Sequence, residues 1–208
     1  FKISLLIKRS SKNFIDKLLV QNPKWKILDI GCGYTAHKNA NVVCDIQDFS
    51  DFYNDKKFVK LSDKVLPFKD KEFDFVISSH VIEHVTDVDF FIKELERVSN
   101  KGYIELPTIL EDNLVFENKK DHLWHTEFDD VENQLVISKK IQFLEPLLTV
   151  SSIKKLSKYF RQSLILELYW ENSINFRIVN KKIEIDDSLS RLTLFRKFIS
   201  KILRNIFK

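Results

Sequence analysis

Short apolar runs recur through the first half of the chain and predict a parallel β-sheet. Each run is short, uninterrupted and rich in β-branched or aromatic residues, as is typical of strands that are buried on both faces of such a sheet. The five runs are WKILDI (25–30), NVVCDI (41–46), KFVKL (57–61), FDFVISS (73–79) and KGYIELP (101–107).

Between the last two runs the apolar residues change to helical spacing. They lie on one helical face at Val88, Phe91, Ile92, Leu95 and Val98. Thr86 and Asp89 are expected to form a capping box at the start of this helix, and Gly102 stands just past its end. A strand, a helix and a strand at this spacing predict a βαβ unit.

The flanking segments have looser patterns. Residues 2–21 predict an amphipathic helix that ends at Asn22 and Pro23. After Pro107, HLWHTEF (122–128) and QLVISKK (134–140) predict an inserted hairpin. A helix is expected at 152–161, followed by LILELYWE (164–171) and INFRIV (174–179) as an antiparallel pair that closes the sheet edge.

Two of the chain's three glycines, Gly31 and Gly33, directly follow the first predicted strand. At the carboxyl end of a first parallel strand, glycines let the backbone turn sharply and let a ligand approach closely. Both dinucleotides and S-adenosylmethionine are bound at such a position. Taken alone, the glycines and Ala36 fit a loose G-x-G-x-x-A pattern, so the surrounding motifs must decide.

Those motifs resemble the class I S-adenosylmethionine-dependent methyltransferases, in the subfamily related to small-molecule and quinone methyltransferases. ILDIGCG is similar to the first motif of that family, and VVCD to its second strand with an acidic end. LPFKDKEFDFVISSHVIEHV (66–85) and ELERVSNKGYIELP (94–107) continue the likeness in the family's order. The resemblance covers 25–107 and makes dinucleotide binding the distant alternative.

The resemblance implies a Rossmann-like α/β fold with a mostly parallel seven-stranded sheet, and S-adenosylmethionine as cofactor. It also implies a set of cofactor-binding positions. Asp45 would accept hydrogen bonds from the ribose and Ile46 would flank the adenine, while the family's acid near the adenine falls at Ser62 or one later, of which we choose Asp63. The full predicted set is Asp29, Gly31, Cys32, Gly33, Asp45, Ile46, Asp63 and Ser79.

The chain departs from the family pattern after the glycines. Thr35 replaces a third glycine, and only ten residues separate Ile30 from Asn41. A crossover between parallel strands usually needs a dozen or more residues, so the first crossover helix is expected to be a single turn or absent. This favours a cofactor without phosphate, because the helix N-terminus that binds phosphate is reduced. It also raises the alternative of a binding or assembly module that has lost catalysis.

Four of the five histidines lie after the fourth and fifth predicted strands. His80, His122 and His125 are the candidate catalytic residues, since methyl transfer to a hydroxyl needs a base. Glu83 and His84 can equally serve structure through backbone hydrogen bonds. His122 and His125 are expected on opposite faces of a strand, which argues against joint metal binding, and no metal site is predicted. The insertion that carries them is the expected acceptor-binding element.

The net charge of +4 comes from the end of the chain. Residues 188–208 hold six basic and no acidic residues, so no nucleic-acid partner is expected for the body. Residues 189–208 have apolar residues at helical spacing and predict an extra C-terminal amphipathic helix. It either packs on its own domain or on a second copy, or lies on an anionic membrane, and we favour packing over the membrane.

These patterns predict how the chain is organised. With no linker or repeat, 1–208 is interpreted as one domain, with a cofactor-binding half (25–107), a half that carries the insert and closes the sheet (108–187), and the basic tail. No apolar run reaches the ~18 residues that span a membrane. The two cysteines favour a reducing cytoplasm.

The predicted function is methyl transfer from S-adenosylmethionine to an oxygen of a small molecule or glycan, and NAD(P)-dependent oxidoreduction is the distant alternative.

Overall fold

The computed structural model describes residues 6–180 and 190–206. Its strands are β1 (Leu6–Arg9), β2 (Ile27–Ile30), β3 (Val42–Asp45), β4 (Lys57–Lys60), β5 (Phe75–Ser79), β6 (Lys101–Pro107), β7 (Trp124–Asp129), β8 (Gln134–Lys139), β9 (Ile165–Glu171) and β10 (Phe176–Val179). Its helices are α1 (Lys12–Gln21), α2 (Val88–Val98), α3 (Ile109–Leu114), α4 (Asn118–Asp121), α5 (Val150–Leu164) and α6 (Arg191–Ile206), and a 3₁₀ turn covers Ile82–His84.

The main sheet has seven strands in the order β1-β9-β6-β5-β2-β3-β4. The five strands from β2 to β6 are parallel to one another, and β9 is antiparallel to both β6 and β1. The predicted α/β class and the mostly parallel seven-stranded sheet are therefore confirmed. Because these parallel strands end at one edge of the sheet, the loops after β2, β3, β5 and β6 meet there.

Alternate residues of the central strands face two separate apolar cores. Leu28, Val76 and Ile104 belong to the core beneath α2 and the second sheet, whereas Val43 and Ile77 face α1. This two-sided burial explains why the strands appear in the sequence as continuous apolar runs instead of alternating ones.

The crossover from β2 to β3 contains no helix, as the short spacing predicted. An aromatic cluster packs beside this loop, and the Tyr53 hydroxyl forms two hydrogen bonds with the loop backbone. That hydroxyl donates to the carbonyl oxygen of Gly33 at 2.8 Å and accepts from the backbone N–H of Ala36 at 3.0 Å. The cluster consists of Tyr34, Phe49, Phe52, Tyr53 and Phe58.

The N-terminal segment differs from the single helix predicted over 2–21. Residues 2–5 lie outside the described residues, and Leu6–Arg9 form a strand that pairs with β9. The helix begins only after Ser11, whose side-chain oxygen accepts a hydrogen bond from the N–H of Phe14 at 3.3 Å. Pairing with a distant strand thus overrides the local helical pattern at Leu6–Arg9.

The ends of α2 also differ from the prediction. Asp87, not Thr86, caps the helix, and its side chain accepts from the N–H of Phe90. Gly102 does not terminate the helix but lies inside β6. An added Cβ there would come within 2.6 Å of the Trp170 indole nitrogen and 2.7 Å of Val76. Gly102 therefore permits close packing between β6 and its neighbours.

The predicted hairpin is confirmed as β7 and β8, but the predicted antiparallel pair after it is wrong. Only β9 joins the main sheet, where β1 is its outer partner. The strand β10 instead pairs in parallel with β8, giving a second sheet of order β10-β8-β7. The chain leaves β9 at Asn172, which has a positive φ of 65°.

None of the described residues of α6 is buried. Arg191 at the start of the helix forms an ion pair with Glu145, but the rest of the described helix is not buried against its own domain. Packing on a second copy stays a prediction, and residues 188–189 and 207–208 lie outside the described residues. Among the described helices, none is both long enough and apolar enough to cross a membrane.

Candidate functional site

Two cavities meet at the carboxyl ends of the parallel strands. The first has a volume of about 530 Å³ and the second about 790 Å³. Gly31, His80 and His84 line both of them. A ligand of two parts can therefore occupy both cavities with its middle at these three residues.

The two glycines of the loop after β2 serve different purposes. Both have positive φ, 69° at Gly31 and 46° at Gly33. A Cβ on Gly31 would lie 2.4 Å from a methyl carbon of Val81, so the protein's own side chain takes that space. A Cβ on Gly33 would meet no heavy atom within 4 Å. Of the two glycines, only Gly33 therefore has open space where a side chain would lie.

Two buried carboxylates shape the same loop. Asp29 accepts a hydrogen bond from the backbone N–H of His37 at 2.6 Å, and Asp45 accepts one from Gly33 at 3.0 Å. Burial raises the pKa of Asp29 to about 6, although the hydrogen bond from His37 opposes the shift. The other oxygen of Asp45 accepts from the N–H of Gln47 at 2.9 Å. Both acids thus hold backbone at the edges of the cavities.

The predicted cofactor residues divide between the two cavities. Asp29, Cys32, Gly33 and Ser79 line the first, together with Gly31. The second is lined by Asp45, Ile46 and Asp63. Ile46 is 74% exposed, so its apolar side chain is available to contact a flat ligand.

A charged network forms one wall of the first cavity. The Ser79 hydroxyl donates to Glu105 at 2.9 Å, and Arg161 forms ion pairs with both Glu105 and Glu167. The Tyr103 hydroxyl donates to Glu167 at 2.7 Å. The sequence analysis missed Glu105, although an acid inside the apolar run KGYIELP is itself an indication of a buried polar site.

His80 stands where the cavities join, in a strained backbone conformation. Its φ is 55°, which is unusual for a residue with a side chain. Its Nδ1 lies 3.2 Å from the fully buried carboxylate of Glu83. Burial lowers the pKa of His80, but the hydrogen bond and charge of Glu83 outweigh it, and the net shift is upward. A carboxylate that orients an imidazole in this way is typical of a general base.

Glu111 is a further cavity residue that the sequence analysis missed. It lies in the first turn of α3 and is buried, with one carboxylate oxygen that has no hydrogen-bond partner among the described residues. Burial raises its pKa to about 7, and the charge that His80 carries when protonated opposes the shift. The sequence TILE resembles a capping box, which concealed that this acid faces the cavity.

The two histidines of the insertion are not on opposite faces of a strand. His122 ends α4, before β7 begins, and its Nδ1 contacts one oxygen of Asp112. The Nδ1 of His125 lies 2.9 Å from the other oxygen of Asp112, and its Nε2 lies 2.7 Å from the carbonyl of Ile141. One carboxylate therefore holds both rings.

Only one of these two histidines reaches the site. His122 lines the first cavity, whereas His125 is 2% exposed and lines neither cavity. Because both of its ring nitrogens are engaged, a structural role fits His125 better than the predicted catalytic one. The insertion contributes to the site through His122 instead.

Part of the chain is similar to known proteins. Residues 28–104, which run from β2 to β6, match the family described as Methyltransferase domain. An uncharacterised protein of Methanocaldococcus jannaschii is 29% identical over 209 residues, covering 82% of this chain and 85% of that protein. A ubiquinone biosynthesis O-methyltransferase of Pelagibacter ubique is 35% identical over 94 residues, covering 38% of this chain and 39% of that protein.

A solved structure from Thermotoga maritima, described as an S-adenosylmethionine-dependent methyltransferase and a possible histamine N-methyltransferase, is among the structures that match this chain. Its TM-score is 0.42 at 13% identity, over 77% of this chain and 90% of that one.

Proposed function

We propose that this chain, which belongs to the class I S-adenosylmethionine-dependent methyltransferases, transfers a methyl group to an oxygen atom of a small molecule or glycan. The observation that carries the proposal is the junction of two cavities at His80, where a base and its orienting carboxylate meet. A cofactor that extends from one cavity to the other would present its reacting group at this junction.

The residues present fit S-adenosylmethionine. The open space at Gly33 is a cradle that a Cβ would fill, and it suits the amino-acid part of the cofactor. Ile46 and Asp63 line the second cavity and suit the adenine. When bound, this cofactor supplies an electrophilic methyl group, so the protein needs to provide alignment and proton transfer.

In our proposal, His80 receives the proton of the acceptor hydroxyl. Its Nδ1 faces Glu83, which leaves Nε2 for the acceptor and stabilises the ring once it carries the proton. The first cavity has a polar wall formed by Glu105, Glu111 and Arg161, and this suits an acceptor that carries several hydroxyl groups. His122 also lines this cavity.

Isothermal titration calorimetry with S-adenosylmethionine and S-adenosylhomocysteine tests the cofactor site. Replacing Ile46 by glutamate is expected to weaken both ligands about tenfold, because a charge beside the adenine replaces an apolar contact. The matched control is Val131→Glu, which adds the same charge at a side chain that is 85% exposed on the β7–β8 turn. Equal affinity in the two variants would contradict the adenine position.

One observation favours a second candidate, a binding or assembly module without catalysis. The loop after Gly33 has no helix, and both carboxylate oxygens of Asp45 are already engaged by backbone N–H groups. If neither ligand binds to the unaltered protein in the same calorimetry, the enzymatic proposal fails and the module remains. Binding of a reduced nicotinamide dinucleotide instead would favour oxidoreduction.

We further propose that α6 lies on an anionic membrane surface. Seven of its eight large apolar side chains are exposed, and its basic residues lie mostly on the opposite side. This combination of an apolar stripe and cations is typical of helices that bind at a lipid interface. The exposed apolar residues are Leu192, Phe195, Phe198, Ile199, Ile202, Leu203 and Ile206, and the basic residues that follow the first turn are Arg196, Lys197, Lys201 and Arg204.

Replacing Phe195 and Phe198 together by serine is expected to reduce binding to vesicles about tenfold, because two aromatic anchors are lost while the charge is unchanged. Pelleting with vesicles that contain phosphatidylserine measures the effect. Tyr159→Ser, at a side chain 83% exposed on α5, is the control. Equal pelleting of all three proteins would overturn the proposal, and a dimer in sedimentation that the double variant loses would assign the stripe to self-association instead.

For the location of the protein we propose a reducing compartment such as the cytoplasm. Cys32 and Cys44 are both free and buried, although they lie at adjacent strand ends. Free thiols in such close strands are typical of a reducing environment.

A further inference from the structure

Three side chains that could bind a metal converge beside the proposed acceptor site. One ligand atom from each of Glu83, His84 and His122 lies within 4.8 Å of the other two. Glu83 and His84 come from the 3₁₀ turn after β5, and His122 comes from the insertion. The rings of His84 and His122 meet edge to face, with centroids 4.5 Å apart. Two imidazoles and one carboxylate form a ligand set that is typical of divalent transition metals.

Each histidine already has the outer partner that a metal ligand usually has. The Nδ1 of His84 lies 2.9 Å from the backbone carbonyl of Asp121, and the Nδ1 of His122 contacts the Asp112 carboxylate. Such contacts fix the tautomer and leave Nε2 for the metal. The Leu123 N–H also donates to the carbonyl of Glu83 at 2.7 Å, which ties the insertion to the turn. Both rings are therefore oriented before any ion binds.

The Glu83 carboxylate provides a second, independent observation. Its side chain is fully buried, and its Oε2 has no hydrogen-bond partner among the described residues. A buried carboxylate oxygen without a partner is unfavourable unless an ion or ligand satisfies it. Oε1 is engaged by His80, so Oε2 is the oxygen left for a cation.

We propose that Glu83, His84 and His122 bind a divalent transition metal such as Zn²⁺ or Mn²⁺. Tetrahedral ligands at zinc lie about 3.4 Å apart, so ligand atoms that are up to 4.8 Å apart must approach one another by up to about 1.4 Å when the ion binds. His84 is exposed, so a small tilt of its ring about the contact with Asp121 can supply part of this movement. Three protein ligands leave coordination positions open toward the first cavity, which His84 and His122 both line.

The open positions identify the class of acceptor. A metal with free positions beside His80 suits an acceptor with two neighbouring oxygens, such as a vicinal diol or a catechol, that can coordinate it together. This assignment of the acceptor rests on the proposed methyl transfer, whereas the metal site itself does not.

Titration of the metal-free, untagged full chain with Co²⁺ tests the site. We expect one equivalent to bind with visible absorption, and Zn²⁺ to displace it. His84→Asn is expected to weaken Co²⁺ binding at least about tenfold, and Glu83→Gln likewise, because each removes a ligand. Glu117→Gln is the control, since it alters a carboxylate of the same cavity that is outside the cluster. Circular dichroism verifies that the exposed position 84 variant is folded.

The possible results are distinguishable. An unaltered protein that binds no Co²⁺ overturns the inference, as does a folded His84→Asn variant with unchanged affinity. Calorimetry with S-adenosylmethionine on the same metal-free sample separates the two proposals. Cofactor binding without metal binding would overturn only the metal site, and metal binding without cofactor binding would overturn only the methyltransferase function.

Discussion

Replacing Gly31 by alanine is expected to lower the free energy of unfolding by about 3 kcal/mol, whereas Gly33→Ala should lower it by only about 1 kcal/mol. Both residues have positive φ, so both substitutions introduce the same kind of backbone strain. Only at Gly31 does the new Cβ collide with another side chain, 2.4 Å from Val81. Denaturant unfolding, monitored by tryptophan fluorescence, measures the difference between the two variants.

The contribution of the collision is separable from that of the backbone. In the double variant Gly31→Ala/Val81→Ala the methyl group that obstructs the new Cβ is absent, so its loss of stability should be about 1 kcal/mol less than the sum of the two single variants. Strict additivity, or equal losses at the two glycines, would contradict the packing of Val81 against the loop.

This contrast shows how far the glycine pair could be understood from sequence. The turn after β2 was predictable, because glycines behind a buried run indicate positive φ. The neighbour that excludes a side chain at Gly31 was not, because Val81 follows β5, fifty residues along the chain. Local pattern thus identified the conformation, while the topology of the sheet determined which glycine remains open to a ligand.

The same distinction applies to the fold. The five parallel strands were predictable since each is a buried run with its own local signal. The strand β1 was not, because LIKR is short and half polar and is a strand only through pairing with β9, about 160 residues away. The predicted partner of β10 was wrong for the same reason. Nothing in the local sequence distinguishes an edge of the main sheet from an edge of a second sheet.

In the site, residues at the ends of the parallel strands were predictable, and most of those from later elements were not. His80 and Ser79 follow directly from the end of β5, where ligands of such sheets lie. Arg161 and Glu111 come from helices whose sequences are typical of ordinary capped, amphipathic helices. His125 shows the opposite error. It was predicted to lie in the site, but its ring is buried and contacts Asp112 and the carbonyl of Ile141.

Replacing Glu111 by glutamine is expected to stabilise the protein by an amount that increases with pH. Burial raises the pKa of this carboxyl to about 7 in the folded protein from 4.5. As the pH rises from 4.5 to 7, the unfolded chain loses the proton while the folded one retains it, so the wild type loses stability over this window. Glutamine has no proton to lose. Its advantage should therefore grow by about 2 kcal/mol between about pH 5 and about pH 8.

Thermal unfolding at these two pH values measures the change, and 2 kcal/mol corresponds to a rise of roughly 6 °C in Tm for a domain of this size. Glu132→Gln is the control, because this glutamate is exposed on the β7–β8 turn. An advantage of Glu111→Gln that is the same at both pH values would show that the carboxyl ionises in the folded protein as it does in the unfolded chain. The first cavity would then be wet at Glu111, and its polar wall would be charged before any acceptor enters.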